Sequence, residues 1–183
     1  MKSVLNRFSG LVSCAALGIA LSLGCASTPT SDIRVHSAAD TKSNLGAYKS
    51  YAWDTSAGML NDRTGVWVPK DMDTQAELQF LIDEKLRDRG MTVAQEKPDL
   101  LVSMLIAADV RTVEEIKEKR GEAVASLDPV GKGALLVELV DFQTGKTVWL
   151  GAAEGEVRGS NTMEVSKQRL AYAVDKLFEQ LPK

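Results

Sequence analysis

Apolar positions recur at two periods along this chain, and the change from one to the other predicts the elements. Ile33 to Ala38 (IRVHSA) alternates as a strand does, and Tyr48 to Trp53 (YKSYAW) is a second strand rich in β-formers. Asn44-Leu45-Gly46 supplies the turn between them. The period then lengthens. Leu78, Leu81, Ile82 and Leu86 stand three or four apart and predict a helix from about Asp73 to Arg89. Thr74 and Glu77 have capping-box spacing at its start, Asp83 and Arg87 form an i,i+4 pair, and Gly90 is placed to stop it.

Leu100 to Ala108 is apolar at odd and even positions alike, which suits a central strand covered on both faces. Gly133 to Phe142 and Thr147 to Val157 are two more strands, joined by a turn over Asp141 to Lys146 in which Gly145 can take positive φ. Leu170, Val174, Leu177, Phe178 and Leu181 give a closing helix, with Asn161 and Glu164 as a capping box before it and Pro182 after it. Residues 112–127 admit two readings, a weak helix or a solvated excursion around the charge run Glu114 to Arg120. The order ββα-β-ββα predicts an α+β fold: two layers, a mixed or mainly antiparallel sheet of about five strands, and two helices on one face.

The N-terminus follows another logic. Lys2 and Arg7 precede an uncharged apolar run of 16 residues, Phe8 to Leu23, and a span needs roughly 20. Small and polar residues follow, with no stop-transfer flank. Residues 1–24 therefore read as a secretory signal, 25–32 as a tether, and 33–183 as one domain. The run ends Leu21-Ser22-Leu23-Gly24-Cys25, which resembles the bacterial lipoprotein signal, where a small residue precedes a Cys that is diacylated and becomes the new N-terminus. That family prefers Leu three positions before the Cys and a small residue two before it; here those positions hold Ser22 and Leu23. Cys14 fits the short pattern better, but Arg7 leaves no apolar core ahead of it. Cys25 is the expected acceptor, and simple cleavage near Ala26 is the rival. Two or three acyl chains anchor stably, where one binds only marginally. If the cell is Gram-negative, the resemblance further implies the outer membrane, facing the periplasm, because Ala26 is not Asp.

Composition narrows the chemistry. Cleavage before Cys25 removes Cys14, so no disulfide can form in the mature domain. It also removes Lys2 and Arg7, the only charges in the first 24 residues, and leaves 20 bases against 25 acids. Such a surface has no footprint for nucleic acid. One His, His36, and no free mature Cys exclude a tetrahedral zinc set. No calcium-hand spacing is present, so neither metal nor cofactor is expected. His36 reads as an exposed strand residue and Ser103 as part of a buried strand, which leaves no nucleophile with a positioned base. No catalytic residue is assigned.

Gly151 and Gly155 share a strand face with Trp149 and Ala153. Such a face lets a helix approach closely, or it forms a shallow groove with Trp149 at one end. Trp53 and Trp149 are expected to pack, whereas Trp67 lies in a loop before Pro69 and is the one candidate partner contact.

Several segments taken together resemble an envelope lipoprotein family, the domain of unknown function family 4136. They are Tyr48-Lys49-Ser50-Tyr51-Ala52-Trp53, Pro98-Asp99-Leu100-Leu101-Val102, and Gly133 to Asp141 followed by Thr144-Gly145-Lys146-Thr147-Val148-Trp149-Leu150-Gly151, then a helix ending in Leu181-Pro182. The family commonly has a basic residue after the strand Trp, where this chain has Leu150. The resemblance implies a lipoprotein context and no activity. The sequence thus points to a non-enzymatic binding or structural protein anchored in the membrane by its lipid, with an envelope protein as possible partner. A carrier of a small apolar ligand or lipid is the alternative, and an envelope-polymer hydrolase the third reading.

Overall fold

The structure, a computed structural model, describes residues 29–54, 72–107, 132–156 and 162–183. Cys14, Cys25, Trp67 and the ambiguous stretch 112–127 lie outside the described residues. Six strands form one open sheet: β1 (Arg34–Ala39), β2 (Ser50–Trp53), β3 (Thr92–Val93), β4 (Leu100–Ala107), β5 (Lys132–Asp141) and β6 (Thr147–Glu156), in the order β1-β6-β5-β4-β2-β3. β1, β6, β5 and β4 pair antiparallel, while β2 is parallel to both β4 and β3. The fold is α+β with a mixed sheet, as the pattern of elements predicts. The sixth strand is an addition to that expectation, since β3 has two residues and no alternation to read.

Helices α1 (Thr74–Asp88) and α2 (Met163–Glu179) lie against the same sheet face. Leu78, Ile82 and Leu86 of α1 and Leu170, Val174 and Leu177 of α2 share one core with Tyr51, Val102, Val137 and Trp149. Their ends differ from expectation by one residue. Asp73, not Thr74, caps α1 by accepting from the Ala76 N–H, and Thr162 caps α2 by accepting from the Val165 N–H. Thr74 is buried instead. Gly90 takes φ 79° after α1, the Met91 N–H returns to the Leu86 carbonyl and the Gly90 N–H to that of Arg87, closing the helix as expected.

Asp83 also departs from its expected role. Its carboxylate does not face Arg87, whose Nε donates to the Asp83 carbonyl. The carboxylate accepts from Tyr51 Oη at 2.6 Å and from Trp53 Nε1 at 3.0 Å, which ties α1 to β2. Burial, with the Asp83 carboxylate beside it, holds the Tyr51 hydroxyl protonated far above its ordinary range.

β6 is buried from Val148 to Gly155. A β-bulge explains how Val148 and Trp149, adjacent residues, both enter the helix-side core. The register slips between Leu139 and Val140, which pair with Trp149 and Thr147 and leave Val148 extra. The Trp149 indole then lies along its own strand. A Cβ at Gly151 would come within 2.3 Å of the indole Cη2 and 3.0 Å of Leu177 Cδ2. The face is therefore filled by the chain's own side chains, Trp149 over Gly151 with Phe178 at 5.6 Å from the indole, and offers no groove there. Gly151→Ala is expected to destabilise by about 1–3 kcal/mol, the usual cost of overpacking. Combined with Trp149→Phe, its added cost shrinks, because the clashing ring edge is gone. Denaturant midpoints of the four proteins test this; an additive pair contradicts the contact.

Candidate functional site

Two places in the fold concentrate unusual chemistry, one at each end of the sheet. The first is built on Arg169, an Arg on the buried stripe of α2 with 8% of its surface exposed. Gly155 makes its position possible, since a Cβ there would lie 2.9 Å from Arg169 Nη2. The guanidinium forms a fork on Asp32, Nη1 to Oδ1 at 2.7 Å and Nη2 to Oδ2 at 2.7 Å. It also donates to the carbonyls of Pro29 and Glu156, and the Glu156 N–H closes the ring on Asp32 Oδ2 at 2.8 Å. The Arg169 fork holds the Asp32 carboxyl far below the usual carboxylate range, with the Glu156 N–H adding to the effect against the cost of burial. In the segment read from sequence as a tether, the described residues 29–32 are thus held by the domain, and Thr30 is itself buried.

The second place is a surface cleft of about 470 Å³ at the opposite end, walled by Leu45, Tyr48, Met91 and Leu181 with Lys49 and Arg89 at its rim. Both cations are engaged by carbonyls. Lys49 Nζ donates to Gly46, and Arg89 donates to Phe178, Leu181 and Pro182, closing the end of α2. The turns around it are locked by carboxylates. Asp99 accepts from the Lys49 and Ser50 N–H groups, and Asp141 accepts from the Thr144 N–H and from Tyr48 Oη. These bonds hold both carboxyls below their ordinary range, with the Lys49 N–H the main cause for Asp99 and the Thr144 N–H for Asp141.

The sheet face away from the helices carries the remaining polar groups. His36 on β1 is 3.6 Å from Glu154 of β6, a carboxylate 4% exposed. Ser103 Oγ donates to Glu138 Oε2 at 3.3 Å, and Thr147 Oγ1 to Glu138 Oε1 at 2.6 Å. β1 and β4 stand three strand spacings apart, roughly 14 Å, so the fold does not bring His36 and Ser103 together. Among the described residues no group of three His, Cys, Asp or Glu is arranged to hold a metal ion. Cys25 and Trp67, the residues singled out by sequence, lie outside the described residues. Sequence reading missed Arg169 and Asp32, although an Arg between Ser166 and Ala173 on an apolar stripe is a readable signal.

The Asp32 carboxyl titrates lower in the folded chain than in the unfolded one, where it sits near 3.9. Its contribution to stability is complete above that unfolded value and is lost as pH falls toward the folded one. Asp32→Asn is expected to cost about 3–5 kcal/mol at neutral pH, as for a buried pair broken on one side, and to flatten the acid limb of the stability profile. Unfolding followed across that range checks both; a parallel acid limb contradicts the fork's role.

The comparisons agree with this architecture. No curated protein matches the chain. The crystal structure of a DUF4136 family protein from Bacteroides thetaiotaomicron is similar, with 14% identity, a TM-score of 0.58, and coverage of 82% of this chain and 96% of that one. A PDZ domain protein from Parabacteroides distasonis is similar in fold over 85% of this chain and 38% of its own length, with 14% identity and a TM-score of 0.51. At such identities the likeness is one of fold. The family model for DUF4136, a domain of unknown function, matches residues 35–183, all six strands and both helices but for the first residue of β1, and the chain belongs to that family.

Proposed function

We propose that this chain is a membrane-anchored envelope lipoprotein with a non-enzymatic binding or structural role. The observation that carries the reading is the Arg169 fork. Chain termini fray unless something ties them down. Here a buried guanidinium spends its hydrogen bonds on Pro29 and Asp32, four and seven residues past Cys25. An acylated Cys25 would then hold the domain on a leash of at most ~14 Å, shorter than the ~25 Å of a tether running freely to Asp32. The signal-like residues 1–24 and the lipobox-like Leu21 to Cys25 supply the export and the anchor. Ala26 in place of Asp favours the outer membrane, with the domain facing the periplasm. The space between α2 and the sheet, about 30 Å³ beside Ile33, Leu135, Ala153 and Leu170, has room for a water molecule and not for an acyl chain, so a carrier would have to use the open cleft walled by Leu45, Tyr48, Met91 and Leu181.

Cys25→Ser is expected to leave unprocessed or mislocalised precursor, while Cys14→Ser changes nothing. Mass spectrometry of the mature N-terminus decides between the sites. An acylated Cys14, or a mature chain starting after Ala26, overturns the assignment.

The partner surface is proposed to include Trp67. Single-Trp variants should show the strongest acrylamide quenching at Trp67, since Trp149 is fully buried and Trp53 partly so. Trp67→Ala should change stability by no more than about 0.5 kcal/mol, as for an exposed residue. Weak quenching with a loss of about 3–5 kcal/mol would place Trp67 in the core instead.

A further inference from the structure

Among the described residues the outer edge of β1 is not paired with a strand, and its residues fit a second copy of themselves. The Asp40 N–H donates to the Val148 carbonyl, so the backbone groups of Arg34, His36, Ala38 and Asp40 turn toward β6. Those of Val35, Ser37 and Ala39 turn the other way, and Gln180 Nε2 reaches the Val35 carbonyl from that side at 3.4 Å. Among the described residues no strand pairs with this edge. Of the features that usually guard one it has a single charged residue, Arg34, at its start; Arg34–Ala39 holds no Pro, no Lys and no bulge. The opposite edge, β3, has only two residues.

We infer that β1 pairs antiparallel with β1 of a second copy about a two-fold axis at Ser37, joining two sheets into one. In that register Val35 lies opposite the partner copy's Ala39, and Ser37 opposite itself. All three outward N–H groups and all three outward carbonyls of each copy then find partners, giving six hydrogen bonds. Charge selects the same register. Arg34 falls opposite Asp40 of the other copy, on the same sheet face, and the symmetry repeats the pair at the other end. Arg34 is exposed and makes no ion pair among the described residues. Asp40 is held ionised, because the Lys42 N–H and Ser43 Oγ on its oxygens lower its titration range. On the helix face the opposed side chains are Val35 and Ala39, small and apolar, and Gln180 Nε2 gives up the Val35 carbonyl when the seam closes. The interface is isologous and closes at two copies. It depends on β1 alone and stands whether or not Cys25 is acylated.

The test is disulfide trapping of the full-length chain in its native envelope. Under mild oxidation Ser37→Cys is expected to yield a covalent dimer, read by mass spectrometry as a peptide joining two copies of position 37. Val35→Cys and Ala39→Cys should each trap little alone and trap efficiently when co-expressed, because each faces the other across the axis. Ser37→Pro should abolish trapping at Val35→Cys with Ala39→Cys while leaving the monomer folded, its unfolding midpoint matching that of the unsubstituted chain at dilutions where the dimer dissociates, since the Ser37 N–H serves no bond within the fold. Arg34→Asp should weaken association about tenfold, through two opposed charges reversed. Absence of the position-37 peptide, or trapping by Val35→Cys alone equal to that by Ser37→Cys, overturns the pairing. A dimer joined through Cys25 reports a free thiol there; it counts against acylation and leaves the position-37 readout intact.

Discussion

Everything in this fold is arranged around a strand that has no side-chain volume to spare. β6 is buried along its length and reads Val-Trp-Leu-Gly-Ala-Ala-Glu-Gly between its exposed ends. The glycines are sites where another group must pass. Trp149 lies over Gly151 and against Phe178, and Leu177 closes on the same glycine; Arg169 crosses Gly155 to reach Asp32. Close packing leaves no slack at such points, so helix α2 is seated by the shape of β6 and not only by its own apolar stripe. The bulge at Leu139 and Val140 is part of the same fit, since it turns Val148 inward beside Trp149.

The polar groups follow from that seating. A buried arginine is tolerable only when its donors are satisfied, and Arg169 meets this with one carboxylate and two carbonyls. The side chain that pins α2 also pins the N-terminal segment, which couples residues 29–32 and the core mechanically. Asp83 does the same work on the other helix by holding two aromatic groups of β2. Each helix thus carries a polar contact that ties it to the sheet side, besides the Lys85–Asp175 and Lys167–Glu77 pairs between the helices, and an apolar stripe that supplies the bulk of its burial.

Much of this was legible in advance, for reasons that can be named. The stripes Leu78-Ile82-Leu86 and Leu170-Val174-Leu177 repeat often enough to define helices, and the Gly145 turn between two apolar runs defines a hairpin. β3 escaped because two residues have no period. Asp83 and Arg87 satisfy a helix-surface rule by spacing alone, and only the fold reveals that β2 competes for the carboxylate. The adjacent burial of Val148 and Trp149 breaks strict alternation, and a bulge leaves no fixed sequence mark. Arg169 was visible as a charge on an apolar face, but its partner stands 137 residues away in the chain, beyond any local rule.

The sheet has two unlike ends. The connections 55–71, 108–131 and 157–161 all leave from the end where the Arg169 fork holds the N-terminal segment. The other end closes in tight turns, where Asp40, Asp99 and Asp141 each take backbone N–H groups and Gly90 and Gly145 take positive φ. A residue added between Asp141 and Lys146 must rebuild a hydrogen-bonded turn and the register of β5 on β6. A change of length at that turn is therefore felt along the whole hairpin, down to the pairing of Gly133 with Gly155 beneath the Arg169 fork.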